Sequence, residues 1–356
     1  MAKGKVLAQR KGLLHKEAMI SQLHSIRTIV AMLAITTAGG IASAASSPYQ
    51  GAWELTMPDS TAGWLGVEEA NGGVKASMLW TAGSVEPVAS AKIENGHLVL
   101  TREHTVERKD PAGKKTKVKL TQTITATIDG DKLKLQSVKP RDDGQGEDRA
   151  EFTGKRTPPM PPAPDLSKIH FGPELTLFNG RNLTGWRLTD PTADNGWSAR
   201  DGILINTHAP DDGKTHKRYG NLCTQPIFDD FNLKLEVLVK EHGNSGIYLR
   251  GIYEVQVEEC YGKPPTAHNM GAIYSRIKPS KNASNPAGQW QKFDITLVDR
   301  HVTVILNGTE VISNQPVAGC TGGAMWSDVS RSGPIYLQGD HGNVEYRNLS
   351  VRRVLK

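Results

Sequence analysis

The stretch FNLKLEVLVKEHGNSGIYLRGIYEVQVE, residues 231–258, decides the fold. Phe231, Leu233, Leu235, Val237 and Val239 share one parity, the period of a half-buried strand. A Gly/Asn/Ser turn follows, then a short apolar strand, a break at Gly251 and a second strand. In that second strand Tyr253, Val255 and Val257 fall on one face and Glu254, Gln256 and Glu258 on the other. Packing accounts for the apolar face. It does not call for a carboxylate, an amide and a carboxylate in a row on the other, so a functional site is placed here.

Outward from this stretch the pattern stays β. LFNGRNLTGWRL opens with a strand, an NG turn and a Trp, and NGWSARDGILIN is a hairpin about a DG turn. FDITLVD and VTVILNGTEVI pair, then PIYLQGDHG and VEYRNLSVRRV close the chain. Many short strands with turn signals predict a two-sheet β sandwich over residues 167–356. Residues 260–290 form a long irregular insertion in which GAIY reads as one anchoring strand. Upstream, RTPPMPPAPDL (156–166) holds five prolines within seven positions, which can neither pair in a sheet nor continue a helix. It reads as an extended linker between domains. Residues 47–155 are again short strands and tight turns, a small antiparallel β domain of barrel or meander type. Its Trp53, Trp64 and Trp80 read either as a sugar-stacking platform or as core residues.

Residues 1–45 read as a signal peptide, with the apolar run 29–41 and a small-residue ASAAS cleavage region; Met19 is an alternative start. The run is too short to span a membrane well, and the expected location is periplasmic or secreted. Residues 1–46 carry six Lys/Arg and one Glu, so the formal charge of +6 falls to about +1 without them. A nucleic-acid partner loses its electrostatic basis. Cys223, Cys260 and Cys320 allow at most one bridge and are spaced unlike a metal knuckle.

In order, LFNGRNLTGW, DGIL, FNLKLEV, NSGIYLRG, YEVQV, GAIY, QW, LNG and IYLQGDHG followed by YRNL resemble the bacterial 3-keto-disaccharide hydrolase family, formerly a domain of unknown function. The resemblance covers about residues 174–355. It implies a concanavalin A-like jelly roll and activity on glycosides oxidised at C3 of one sugar. A C3 ketone acidifies the C2 proton; a base removes it, the C1 substituent leaves by β-elimination, and water can add to the enone. A separate sugar 3-oxidoreductase must make the ketone.

Such a site needs a base near C2 and donors or a cation on the enolate oxygen. Glu254, His341 and Arg250 are the catalytic candidates. His341 ends the polar parity of IYLQGDHG and titrates near neutral pH, with Asp340 placed to orient it. Arg250 offers a planar fork of donors, or else a plain ion pair with Glu254. Gln256, Asn244, Tyr274, Trp290, Gln338 and Asp340 are candidate substrate contacts. Glu254 and His341 are also compatible with a divalent cation, calcium or a transition metal, although the spacing fits no short metal motif. The alternative to an enzyme is a non-catalytic carbohydrate-binding module of the cell envelope, since a jelly roll hosts both.

Overall fold

The computed structural model describes residues 47–70, 72–109, 114–208 and 217–355. The expected leader and Met19 lie outside them. Among the described residues no helix is long and apolar enough to cross a membrane; the one helical turn is the 3-10 turn Leu166–Lys168.

Nine strands come from the first part of the chain: β1 (Gly51–Thr56), β2 (Ala62–Ala70), β3 (Gly73–Leu79), β4 (Val85–Pro87), β5 (Ser90–Glu94), β6 (His97–Lys109), β7 (Lys115–Asp129), β8 (Lys132–Pro140) and β9 (Glu147–Arg156). They form one antiparallel sheet in the order β4-β3-β2-β1-β9-β8-β7-β6-β5. The sheet curls until β1 pairs with β9, which leaves a seam between β4 and β5. Val88 and Ala89 bridge that seam by donating N–H bonds to the Ala76 and Thr101 carbonyls. The result is a small barrel, and alternation fills it: Leu98, Leu100, Ile124, Leu133 and Leu135 pack inward on Trp53 and Leu55.

The three tryptophans form no platform. Trp53, Trp64 and Trp80 lie beneath three different guanidinium groups, those of Arg156, Arg276 and Arg102, at 4.1, 4.4 and 4.6 Å. Trp64 points out of the barrel, and with Ala62 and Leu79 it joins the core of the second part of the chain. Beyond Arg156, the end of β9, the proline-rich segment forms no strand, but it is not a free spacer. Pro158 and Pro159 carbonyls accept from Arg300 Nη1, and Pro164 O accepts from Asn314 Nδ2 at 2.9 Å.

The second part contributes β10 (Leu175–Thr176), β11 (Trp186–Leu188), β12 (Trp197–Arg200), β13 (Ile203–Asn206), β14 (Leu222–Thr224), β15 (Phe231–Leu238), β16 (Asn244–Leu249), β17 (Tyr253–Glu258), β18 (Gln291–Val298), β19 (His301–Leu306), β20 (Thr309–Pro316), β21 (Tyr336–Leu337) and β22 (Val344–Arg353). An eight-stranded sheet runs β12-β13-β22-β15-β18-β19-β20 with β10 on β22, and a five-stranded sheet runs β11-β14-β21-β16-β17. The inward faces of both meet in one apolar core, where Phe231, Leu233 and Leu235 of β15 lie with Ile247 of β16 and Val255 and Val257 of β17. This is the expected jelly-roll sandwich. Cys223, Cys260 and Cys320 are buried free thiols.

One polar tie crosses that core. Ser245 Oγ donates to Gln338 O at 2.7 Å and lies 2.8 Å from the hydroxyl of Tyr346, on the opposite sheet. Replacing Ser245 by alanine strands two buried groups and is expected to cost about 1–3 kcal/mol of stability. A lower denaturant midpoint at an unchanged m-value is the expected result.

Candidate active site

The β16–β17 hairpin turns on Arg250 and Gly251, whose φ angles are +56° and +69°. The loop is three residues, Arg250 to Ile252, between the paired Leu249 and Tyr253, and Ile252 N–H donates to Leu249 O at 3.1 Å. The turn sets the register: Tyr248 faces Glu254, Gly246 faces Gln256 and Asn244 faces Glu258. Their shared face floors a cavity of about 200 Å³. Gln338, Asp340 and His341 line it from the end of β21, Tyr274 from the 260–290 insertion, and Gly322 and Gly323 from the loop after β20.

Each wall is held by backbone bonds. Tyr274 N–H donates to Glu254 O at 3.0 Å, and Gly271 N–H to Gln256 O at 2.9 Å, so GAIY lies along the outer edge of β17. Asn206, fully buried, donates to the carbonyls of both Gly339 and Gly342 at 2.8 Å. Asn221 Oδ1 accepts from the N–H groups of Gly339 and Asp340. These two asparagines fix the turn that carries His341.

Glu254 is 4% exposed, and burial pushes its carboxyl up to about 8, against the smaller pull of Tyr248 and His341. The hydrogen bonding gives the same answer independently. Tyr248 Oη lies 2.9 Å from Glu254 Oε2 and 2.7 Å from Gly322 O. A phenol has one proton, and a carbonyl can only accept. All three groups are satisfied when Tyr248 donates to Gly322 and a protonated Glu254 donates to Tyr248. Tyr248 stacks on Tyr336, with ring centroids 4.0 Å apart, so the phenol cannot swing away.

The second carboxyl behaves oppositely. His341 Nδ1 lies 2.7 Å from Asp340 Oδ1, and both side chains reach solvent. Asp340 raises the His341 pKa through this hydrogen bond and its charge. Burial pushes Asp340 up, but the bond and charge of His341 outweigh it and hold the carboxyl low. One pocket therefore holds a neutral acid and an ionised acid with a histidine on it. Around them the amide oxygens of Asn244, Gln256 and Gln338 are buried and, among the described residues, accept no hydrogen bond.

Of the nine candidate residues, Glu254, His341, Gln256, Asn244, Tyr274, Gln338 and Asp340 meet in this cavity. Two do not. Arg250 is 3% exposed, and its guanidinium turns to Val329 O and Asp229. Its left-handed backbone in the turn aims it off the hairpin, so it neither pairs with Glu254 nor lines the cavity. Trp290 stands just ahead of β18, in the other sheet, with the Arg347 guanidinium 4.0 Å over its ring. As for a cation, Glu254 is committed to Tyr248 and Asp340 to His341. Among the described residues no group of three or more His, Cys, Asp or Glu is placed to hold a metal ion.

Sequence reading missed Tyr248, Tyr336, Asn206 and Asn221. Tyr248 had a signal: centring the hairpin on Gly251 puts it opposite Glu254. The asparagines had none, because their partners lie more than a hundred residues away.

The sequence pattern described as the 3-keto-alpha-glucoside-1,2-lyase-like domain matches residues 174–352, half of the chain, and the chain belongs to that family. Membership marks it as carbohydrate-active. Two crystal structures of candidate glycosyl hydrolases from Parabacteroides distasonis ATCC 8503 are similar to it. One is 29% identical over 55% of this chain and 92% of that one, with a TM-score of 0.41. The other is 21% identical over 51% and 94%, with a TM-score of 0.43. The carbohydrate-binding module CBM66 from Bacillus subtilis is 12% identical over 48% and 97%, with a TM-score of 0.30. No curated protein matches.

The protonated state of Glu254 is measurable as stability. Between the ordinary carboxylate pKa of 4.5 and about 8 the folded chain holds a proton that the unfolded chain has released. Folding stability therefore falls as pH rises through that window. Glu254→Gln removes the ionisation, so it is expected to raise Tm at pH 9 and leave it nearly unchanged at pH 5, at about 2–4 °C per kcal/mol. Thermal scans at the two pH values check this. In Gly246→Ala the new Cβ would stand 2.3 Å from Glu254 Oε1; the carboxyl must move, and the pH dependence of stability is expected to weaken.

Proposed function

We propose that this member of the family cleaves glycosides already oxidised at C3, by proton abstraction at C2 and β-elimination at C1. The observation that carries the reading is one cavity with two oppositely shifted carboxyls: Glu254, protonated at neutral pH, and Asp340, held ionised with His341 seated on it. Separation of the two carboxyls in this way leaves Glu254 as the acid and Asp340 as the partner that orients the histidine base.

The neutral His341 removes the C2 proton, and Asp340 stabilises the imidazolium that results. The electrons form the enolate of the C3 ketone and then the C1–C2 double bond as the C1–O bond breaks. Glu254 gives its proton to the departing oxygen. The products are an enone and an alcohol; addition of water at C1 converts the enone to the free 3-keto sugar and makes the net reaction a hydrolysis. Asn244, Gln256 and Gln338, which line the cavity, hydrogen-bond the ring hydroxyls. A cavity of about 200 Å³ is below the usual size of a drug-sized ligand site and suits one sugar ring. The reading includes export of the chain to the periplasm or beyond, and a separate sugar 3-oxidoreductase that supplies the ketone.

Purified chain is expected to cleave a 3-keto-disaccharide and to leave the unoxidised sugar intact. His341→Ala should lower kcat by about 10²–10⁴ with the fold retained. Activity should rise with pH as His341 loses its proton, at a pH above the ordinary histidine value of 6.5, and fall again near 8 as Glu254 ionises. Asp340→Asn should shift the rising limb to lower pH. Saturable binding with no turnover, unaffected by His341→Ala, would instead make this a carbohydrate-binding module.

A further inference from the structure

The family match starts at residue 174, yet the cavity does not end with residues of that domain. Ala82, in the turn between β3 and β4 of the barrel, lines it. We propose that the barrel turn 80–84 is a specificity-determining wall of this site: it limits the cavity to one terminal sugar ring, and Ser84 is a positioning residue for Tyr274. The proposal rests on the reading above for the identity of the ligand as a keto-sugar.

Three sets of contacts place the turn. Ser84 Oγ lies 3.0 Å from His268 Nε2 and 3.3 Å from Tyr274 Oη. Next to it, Val85 N–H donates to Ser275 Oγ at 2.6 Å. On the other side the turn meets the 322–323 loop backbone to backbone. A Cβ on Gly322 would stand 2.3 Å from Gly83 O and 2.6 Å from Ala82 O. The turn thus touches both segments that form the outer wall, and one of them also supplies the carbonyl on which Tyr248 rests.

A tethered module could not hold such a wall still. This barrel is bolted down close to the site. Trp64 sits in the sandwich core with Gly319 against its indole, since a Cβ there would lie 2.2 Å from the ring. The Arg276 guanidinium stacks on that ring at 4.4 Å while donating to Cys320 O. Glu54 Oε1, buried, accepts from Val329 N–H at 3.2 Å. These contacts flank the loop 317–329 on both sides of Gly322. Moving the turn 80–84 means moving the wall that the ligand meets. A glycoside must therefore place its oxidised ring inward and lead its other substituent out past the opposite side, away from Ala82.

The test uses the full chain and three variants. Ala82 is solvent-exposed, so Ala82→Phe adds bulk to the cavity without disturbing a core. Ser84→Ala frees Tyr274, and Ser84→Thr restores a hydroxyl. Binding of 3-keto-glucose and of a 3-keto-disaccharide is measured by calorimetry, with turnover in parallel and Tm as the check on folding. Ala82→Phe is expected to weaken binding of both sugars about tenfold at unchanged Tm. Ser84→Ala should raise KM severalfold with little change in kcat, and Ser84→Thr should return it towards the wild-type value. If the wild type cleaves and these variants match it, the proposal is overturned while the reading of the reaction stands. If the wild type binds without cleaving and Ala82→Phe weakens binding, the reaction is wrong and the wall is right. Absence of any binding by the wild type overturns both.

Discussion

The site depends on a relay of two hydrogen bonds, from the Glu254 carboxyl to the Tyr248 phenol and from the phenol to the Gly322 carbonyl. Tyr248 Oη lies within hydrogen-bond distance of a carboxylate that could accept and a carbonyl that can do nothing else. A buried polar group without a partner costs far more than a typical hydrogen bond contributes. The arrangement is relieved when Glu254 keeps its proton, and burial independently favours the same state. Much of the local architecture serves this contact. Gly246 lacks a side chain where Glu254 lies, the stacked Tyr336 holds the phenol, and the loop after β20 brings Gly322 over it. That loop is itself pinned to the hairpin through Thr321, whose hydroxyl accepts the Glu254 N–H at 2.9 Å.

Placing the second carboxyl in a wetter setting gives the cavity two acids of different protonation. Asp340 reaches solvent, accepts from an imidazole and stays ionised; Glu254 is dry and stays neutral. The same functional group thus takes two roles according to its surroundings. Neither role needs an element that moves. Both depend on backbone held by Asn206 and Asn221 and by strand register. The barrel extends this logic. Its outward Trp64 and its turn 80–84 lie on the sandwich, so the wall near Tyr274 is as fixed as the floor.

Local pattern made a large part of this legible. The strict alternation of Phe231 to Val239 predicts the strand and its buried face, and β15 buries that face. Parity along β17 separates Val255 and Val257 from Glu254 and Gln256, and parity along IYLQGDHG carries Gln338 to the same cavity as His341. Arg250 misled because its type suits chemistry while its backbone suits a turn; a left-handed residue aims its side chain by hairpin geometry, not by strand parity. Trp290 misled because the long insertion ends on a different sheet from the one it begins on.

What the sequence alone determined follows from periodicity and short-range geometry: all-β class, a sandwich, the acidic face of β17 and the tight turn beside it. These need only neighbours a few residues apart. Tertiary structure alone decided that Glu254 is dry, that Tyr248 links it to the Gly322 carbonyl, that Asn206 and Asn221 hold the histidine turn, and that Ala82 lines one wall. Each joins groups from separate elements, many of them far apart along the chain. No local pattern carries such meetings, because sheet order and the packing of barrel on sandwich set them.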